Sequence, residues 1–408
     1  MKRKSRAQVL VLLVAVLTLA LMAFGCAFAI ASEPTGSNAV STPRPPAPGP
    51  GSSPAPPVPP NSSPAPAPQP GPNEPDYNGP HYGRTCGTAS IGVTEPAKTW
   101  YMAEGSTAGG FETWVLVQNP GDEIATASLD FMTDKGEVAG PILKLAPMSR
   151  QSIRVNDSVR AFSVSTEVTS DQPVVAERST YFTPPGFDHR VVAHSHIGIT
   201  TPATTWYLAE GATAGGFQTW VLVQNPGDQV ANVSLDYMTD RGEVAGPTIV
   251  LAAKSRQSVK VDDTVKTMSV STKVTSDRPV IVERSVYFRP PESDHWMCGT
   301  SSTGVNGPAT TWYMAEGSTA GGFETWVLVQ NPGDEIATVK LTYMTDRGAV
   351  EGPTIQLAPK SRQTVSVDKT VHSFNVSSMV TSDRPVIAER AVYKRTRGRD
   401  DQPPGGPQ

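Results

Sequence analysis

Residues 99–126 read TWYMAEGSTAGGFETWVLVQNPGDEIAT, and the same letters recur without change at residues 311–338. Midway between them, residues 205–232 read TWYLAEGATAGGFQTWVLVQNPGDQVAN, which sets a period of 106 residues. Self-similarity at a fixed period indicates tandem units, and a unit of this length is an ordinary domain size. The period holds without insertion to a second shared motif, VVAERSTYF at 174–182, VIVERSVYF at 280–288 and VIAERAVYK at 386–394.

Within one unit, short runs rich in Val, Ile, Thr and aromatic residues alternate with turn residues. Residues 113–118 form such a run, and turns are predicted at 119–122, 133–136 and 170–173. This pattern predicts β-strands, and no segment sustains a helical period of 3.6. About seven antiparallel strands per unit favour a β-sandwich of immunoglobulin-like architecture, although the Cys…Trp…Cys pattern of true immunoglobulin domains is absent.

The first residues of the chain have the character of a targeting segment. A basic start is followed by an apolar run at 9–31, which ends in the small-residue pattern Ala29-Ile30-Ala31. This run is either a cleaved signal peptide or a retained helical membrane anchor, and lipidation at Cys26 is a third alternative. All three place the remainder of the chain outside the cytoplasm, with membrane contact only through 9–31 if the segment is uncleaved.

Residues 42–75 contain 16 of the 39 prolines and no aromatic residue. Such a segment cannot bury enough apolar surface to fold, so a disordered, extended linker is predicted. The fold class is therefore all-β, with three tandem antiparallel β-sandwich modules after an N-terminal apolar helix and a disordered Pro-rich linker. The predicted boundaries are 1–31 for the targeting segment, 32–83 for the linker, 84–189, 190–295 and 296–397 for the modules, and 398–408 for a disordered tail.

The motifs W-Y-x-A-E-G, T-W-V-L-V-Q-N-P-G-D, T-S-D-x-P-V and E-R-x-x-Y occur together in residues 84–397. In this combination the chain resembles a repeated module of exported bacterial surface proteins, a family without an assigned activity. The resemblance implies a secreted or surface-displayed β-sandwich repeat. It supplies no catalytic residue and no cofactor.

The composition and the repeats argue against several activities. The chain has 34 Lys and Arg against 38 Asp and Glu, so it lacks the basic footprint of a nucleic-acid-binding protein. No His, Lys or Cys recurs in every copy, and a nucleophile–base arrangement common to the modules is therefore excluded. No enzyme activity, catalytic residue or cofactor is predicted, although Glu104 and Glu177 remain a glycosidase alternative if their strands are neighbours. Asp122 and Asp134 are interpreted as turn residues, with calcium binding as the alternative.

Two sets of recurring residues are candidate sites. Because adjacent strand residues point to opposite faces, Trp100 and Tyr101 cannot both enter the same core, and one of each such pair is expected on the outer face or under a neighbouring module. The outer ring, for which the tyrosine is the candidate, either contacts a ligand such as a sugar, beside a permissive Gly-rich loop, or packs at a module junction. The candidate ligand-binding residues are Tyr101, Gly109, Gly110, Tyr207, Gly215, Gly216, Tyr313, Gly321 and Gly322. The second set is predicted to form structural ion pairs, Glu177 with Arg150, Glu283 with Arg256 and Glu389 with Arg362.

No histidine or cysteine occupies a matched position in all three units. His189, His194 and His196 cluster at the first junction, where a metal site is an alternative to a solvated linker and no metal is predicted. Cys86 and Cys298 stand at matched positions two modules apart. An intermolecular bridge or free thiols are favoured there over an intramolecular bridge, which requires the chain to fold back.

These observations predict a non-catalytic, extracytoplasmic repeat protein that acts in adhesion, scaffolding or wall association. Identical modules in series suit multivalent contact with a repetitive partner, such as a glycan or a cell-wall polymer. The alternative is an array of carbohydrate-binding modules, or an accessory subunit of a polysaccharide hydrolase.

Overall fold

The structure is a computed structural model and describes residues 90–290 and 293–394. These residues form three antiparallel sheets, one for each repeat, and they contain no α-helix. Module 1 has β1 Ala97–Met102, β2 Phe111–Asn119, β3 Ala125–Thr133, β4 Gly136–Leu145, β5 Ser149–Arg154, β6 Ser165–Phe182 and β7 Val192–Ile197. Module 2 has β8 Ala203–Leu208, β9 Phe217–Asn225, β10 Ala231–Thr239, β11 Gly242–Leu251, β12 Ser255–Lys260, β13 Val270–Phe288 and β14 Cys298–Thr303. Module 3 has β15 Ala309–Met314, β16 Phe323–Asn331, β17 Ala337–Thr345, β18 Gly348–Leu357, β19 Ser361–Ser366 and β20 Val376–Lys394. A short 3-10 helix follows the fifth strand of each module, at Val155–Asp157, Val261–Asp263 and Val367–Lys369.

One long strand organises each module. In module 1 the strand order is β4-β3-β6-β2-β5, and β1 and β7 also pair with β6. The first half of β6 lies between β3 and β1, and its second half lies between β2 and β7. The sheet therefore curls through β6 and gives two facing layers, as a β-sandwich requires.

The turn predicted at 170–173 is wrong, because β6 runs through these residues as one strand of 18 residues. Its hydrogen-bond partners change at this point, and Asp171 accepts a bond from the backbone N–H of Thr126 at 2.7 Å. The turn residues therefore mark where the strand passes from one layer to the other.

Buried and less buried side chains alternate along the strands, as expected for a sheet with one face in the core. In β2, Val115 and Val117 are buried in the core, while the intervening residues are less buried. Trp100 fills the same core with Leu129, and its indole N–H donates to the carbonyl of Val174 at 2.8 Å. This bond joins β1 to β6 and satisfies a buried donor, so the Trp of W-Y-x-A-E-G is a core residue.

The seventh strand of a module comes from the next repeat. β7 pairs with β6 of module 1 and β14 pairs with β13 of module 2, although both lie after the predicted module boundaries at 189 and 295. Each junction is therefore part of the preceding sheet. Module 3 has six strands among the described residues.

The predicted targeting segment 1–31, the linker 32–83 and the tail 398–408 lie outside the described residues. Within the part of the chain that the structure describes, no helix is long and apolar enough to cross a membrane.

Candidate functional site

The three candidate tyrosines have different environments. Tyr101 is half-buried, exchanges backbone hydrogen bonds of 2.7 and 2.8 Å with Ile199, and packs against the core of module 2. Burial and the carboxylate of Glu167 raise the pKa of Tyr101 to about 12. Tyr207 is also half-buried and makes the same backbone pair with Val305. Tyr313 is 74% exposed. Two of the three rings therefore lie at module junctions.

The candidate glycines form a close turn. Gly109 and Gly110 have φ of 62° and 93°, and a Cβ on Gly110 would lie 2.2 Å from the carbonyl oxygen of Thr183. This left-handed backbone and close approach require glycine. The matched glycines Gly215, Gly216, Gly321 and Gly322 also have positive φ.

In module 1 the Gly-rich loop lines an open depression of about 400 Å³, together with Arg154, Asn156 and Arg160. Tyr101 is not among the lining residues. The structure therefore does not combine the predicted ring and loop into one platform in this module.

The most concentrated set of charges lies where modules 1 and 2 meet. Arg178 forms ion pairs with Glu104 of its own module at 2.6 Å and with Glu283 of module 2 at 2.8 Å. All three side chains are 1–3% exposed. Glu283 also accepts a bond from the backbone N–H of Ala103 at 2.9 Å. Removing charges from water is costly, and these direct bonds offset that cost.

The two carboxylates respond differently to this environment. Burial opposes ionisation of Glu104, but the attraction of Arg178 and the smaller contributions of its other polar neighbours together outweigh it, and the pKa of Glu104 is lowered. Burial raises the pKa of Glu283, and Arg178 offsets this only in part. The guanidinium of Arg256 contributes a second positive charge and donates to the carbonyl of Ala103 at 3.1 Å. Two arginines thus face two carboxylates at this junction.

The second junction repeats the arrangement. Arg284 contacts Glu210 of its own module and lies 3.5 Å from Glu389 of module 3. Arg362 donates to the carbonyl of Ala209 at 3.0 Å, as Arg256 does to that of Ala103. In module 3, Arg390 pairs with Glu316, whose side chain is 58% exposed.

The predicted partners within one module are not the observed ones. Among residues 90–290 and 293–394, none of the pairs Glu177–Arg150, Glu283–Arg256 and Glu389–Arg362 forms an ion pair. Glu283 and Glu389 instead bind the arginine of the preceding module. Arg150 is exposed and donates to Ser152 at 3.1 Å.

The glycosidase alternative fits this geometry poorly. Glu104 is buried against Arg178 and accepts a bond from the hydroxyl of Thr180 at 3.0 Å. Because a catalytic acid must reach a substrate in a cleft, a carboxylate held in this way is a structural element.

Asp122 and Asp134 are exposed turn residues. Within the described residues, no group of three or more His, Cys, Asp or Glu is arranged to hold a metal ion.

The histidines of the first junction have separate roles. His194 is buried and its Nδ1 lies 3.0 Å from the hydroxyl of Ser301, whereas His196 Nδ1 contacts the carbonyl of Ile197 at 2.9 Å. His189 is exposed beside Asp188. The solvated-linker interpretation is therefore wrong for His194, because β7 packs it between modules.

Acid is expected to weaken the first junction through His194. Burial lowers the pKa of His194 to about 4, against the attraction of Glu104, from an ordinary value of 6.5. The unfolded chain binds the proton first as pH falls, so stability is complete above about pH 6.5 and declines below it. We expect a loss of about 2 kcal/mol between pH 7.5 and pH 5, measured by urea unfolding.

The variant His194→Gln should lose much less stability over this range, while the exposed His372→Gln should follow the wild-type profile. The lowered pKa of His196, which also results mainly from burial, leaves a smaller dependence of the same sign. An unchanged pH profile in His194→Gln would show that the acid sensitivity originates elsewhere.

Sequence reasoning missed an aromatic cluster at the same junction. Phe111, Phe182 and Tyr287 are buried together, with Trp296 packed against them. The ring centroids of Tyr287 and Trp296 are 5.0 Å apart. Trp296 has no counterpart in the other repeats, and this departure from the period was the available signal.

Cys298 is disulfide-bonded, which excludes a free thiol there; Cys26 and Cys86 lie outside the described residues.

No family model matches the chain, and no curated protein matches it. Among solved structures, the Thermotoga maritima protein 1070 is 16% identical over 26% of this chain and 94% of its own, with a TM-score of 0.23. The Anabaena sensory rhodopsin transducer is 24% identical over 21% of this chain and 96% of its own, with a TM-score of 0.19. The α-L-rhamnosidase of Streptomyces avermitilis is 11% identical over 74% of this chain and 45% of its own, with a TM-score of 0.15. Similarities this low carry no functional argument.

Proposed function

We propose that the protein is an exported, non-catalytic scaffold in which residues 97–394 form a stiff spacer between attached ends. The single observation that carries this proposal is the buried Glu–Arg–Glu bonding between consecutive modules. A flexible string of domains would keep these charges in water, since burying them is favourable only in fixed geometry. The function that this geometry supports best is mechanical presentation.

The location of the recurring motifs supports the same function. Glu104 belongs to the motif W-Y-x-A-E-G and Arg178 to E-R-x-x-Y. These two residues are buried at the first junction, and their counterparts are buried at the second. These shared residues are used to join one module to the next.

The proposal of export rests on residues 1–31, whose basic start and apolar run have the pattern of a targeting segment.

The stiffness is tested by a distance measurement across the modules. Nitroxide-bearing unnatural residues at the exposed turn positions 134 and 346 leave the cysteines intact. Double electron–electron resonance should give one narrow distance distribution for the wild-type protein. Arg178→Ala should broaden it, and Arg390→Ala, at an exposed module end, should not. A broad wild-type distribution would contradict the scaffold proposal.

Export is tested separately with a reporter enzyme that is active only outside the cytoplasm. Fused after residue 83, the reporter should be active, and replacing the four basic residues among 2–6 by acidic ones should reduce this activity. An inactive wild-type fusion would remove the extracytoplasmic location while leaving the spacer itself intact.

A carbohydrate-binding function is favoured by one observation, the 74% exposure of Tyr313. An exposed ring is a suitable surface for a sugar, but Tyr101 and Tyr207 are covered at junctions. This alternative predicts one site per chain. Binding to a glycan array that disappears in Tyr313→Ala and persists in Tyr181→Ala would support it.

A further inference from the structure

The two junctions use the same pair of surfaces. We define the front face of a module by the positions of Ala103, Met132 and Glu167, and the rear face by the positions of Gln224, Lys254 and Arg256. At the first junction Gln224 donates to Met132 Sδ at 3.4 Å, and at the second Gln330 donates to Met238 Sδ at 3.3 Å. The contact is therefore a repeated head-to-tail interface in which different surfaces meet.

Among residues 90–290 and 293–394, nothing covers the front face at one end of the array or the rear face at the other. The front face of module 3 is open: Met344 is 37% exposed, whereas Met132 and Met238 are completely buried. Ala315 and Glu316 are exposed too, although Ala103 and Glu104 are buried.

The rear face of module 1 is open at the other end. Gln118 and Arg150 are exposed, whereas their counterparts Gln224 and Arg256 are buried at the first junction. The residue types are identical at both matched positions. The open rear face therefore presents the groups that the open front face is built to accept.

We propose that a second copy of this chain docks the rear face of its module 1 on the front face of module 3. In this contact Arg390 would bind Glu177 of the second copy, as Arg178 binds Glu283 at 2.8 Å. Gln118 would reach Met344 in the same way that Gln224 reaches Met132. The inference goes beyond the scaffold function and does not depend on export.

One position distinguishes the outer faces from the inner ones. At the first junction Lys254 of the rear face lies 3.4 Å from Glu167 of the front face. The matched residues on the open faces are Met148, which is 80% exposed, and Met379. At the second junction the matched residues are Lys360 and Lys273, so both inner contacts carry charge at this position. On the open faces two apolar side chains would meet instead, between copies, where their burial is favourable.

Because the contact is heterologous, it propagates until a ring closes or a filament grows. Two blocked variants of the full chain separate this assembly from other association. Arg150→Glu blocks only the rear face of module 1, and Met344→Glu blocks only the front face of module 3. Each variant retains one intact face, and both substitutions are at exposed positions.

Sedimentation velocity tests the proposal. The wild-type protein should assemble as its concentration rises, and each blocked variant should associate at least tenfold more weakly by itself. An equimolar mixture of the two should form a 1:1 dimer and nothing larger, because only one intact front face and one intact rear face can meet. Arg384→Glu, at a surface ion pair with Glu335, is the control and should assemble as the wild type does.

Three results would overturn the proposal. A wild-type chain that stays monomeric up to about 1 mM contradicts the proposal directly. Blocked variants that assemble as the wild type does assign the association to another segment, such as residues 1–76. A mixture without a dimer shows that the two open faces do not bind each other.

Discussion

Arg178→Ala is expected to lower the free energy of unfolding of the first junction by about 3–5 kcal/mol. The guanidinium of Arg178 is the cation for two buried carboxylates, Glu104 at 2.6 Å and Glu283 at 2.8 Å, and it also donates to Ser301 at 2.9 Å. Its removal leaves both carboxylates buried without the cation that binds them directly, and only the more distant charge of Arg256 remains. Urea unfolding followed by circular dichroism at pH 7.5 measures the loss.

The repeat supplies the matched control. Arg390 occupies the same position in module 3, but its partner Glu316 is 58% exposed, so Arg390→Ala should cost about 1 kcal/mol or less. The triple variant Arg178→Ala, Glu104→Gln and Glu283→Gln should recover part of the loss, because it removes the uncompensated charges. Equal losses in Arg178→Ala and Arg390→Ala would refute a role for burial between modules.

Gly110→Ala is expected to lower the free energy of unfolding by about 2–4 kcal/mol. The backbone of Gly110 has φ of 93°, which strains any residue with a Cβ. The new Cβ would also lie 2.2 Å from the carbonyl oxygen of Thr183, whose own N–H donates to the Gly110 carbonyl at 2.9 Å. Because the obstructing atom belongs to the backbone, the chain must shift to relieve the overlap.

Gly136→Ala is the control that separates the cost of backbone strain from the cost of steric overlap. Gly136 has φ of 107°, but a Cβ there meets nothing within 4 Å, so the substitution should cost only about 1–2 kcal/mol. Thermal unfolding of both variants gives the difference. If Gly110→Ala retained wild-type stability and lost glycan binding, the loop would be a ligand contact and the close-turn explanation would be wrong.

The sequence predicted the repeat, the strand-rich modules and most strand positions, because a period of 106 and runs of β-branched residues are local signals. It did not predict that β6 passes through residues 170–173, since Asp and Pro there read as a turn. Pro173 is tolerated because the strand changes its partners at this point.

The ion-pair partners also escaped prediction, for a different reason. Sequence comparison paired Glu283 with Arg256 of the same repeat, while the structure pairs it with Arg178, 105 positions earlier. Matched residues recur in every copy, so the sequence does not distinguish a bond within a module from one to its neighbour. The choice depends on how the β7 and β14 junctions place successive modules.

The sequence by itself determined what every repeat can form: most of its strands and the chemical groups of both contact faces. Only the tertiary structure decided which of these groups are covered. Arg150 and Arg256 are the same residue at the same repeat position, yet the first is exposed and the second is buried. These contact residues are buried only where a neighbouring module packs against them. A module at the end of the array carries the same contact residues, but it lacks one neighbour.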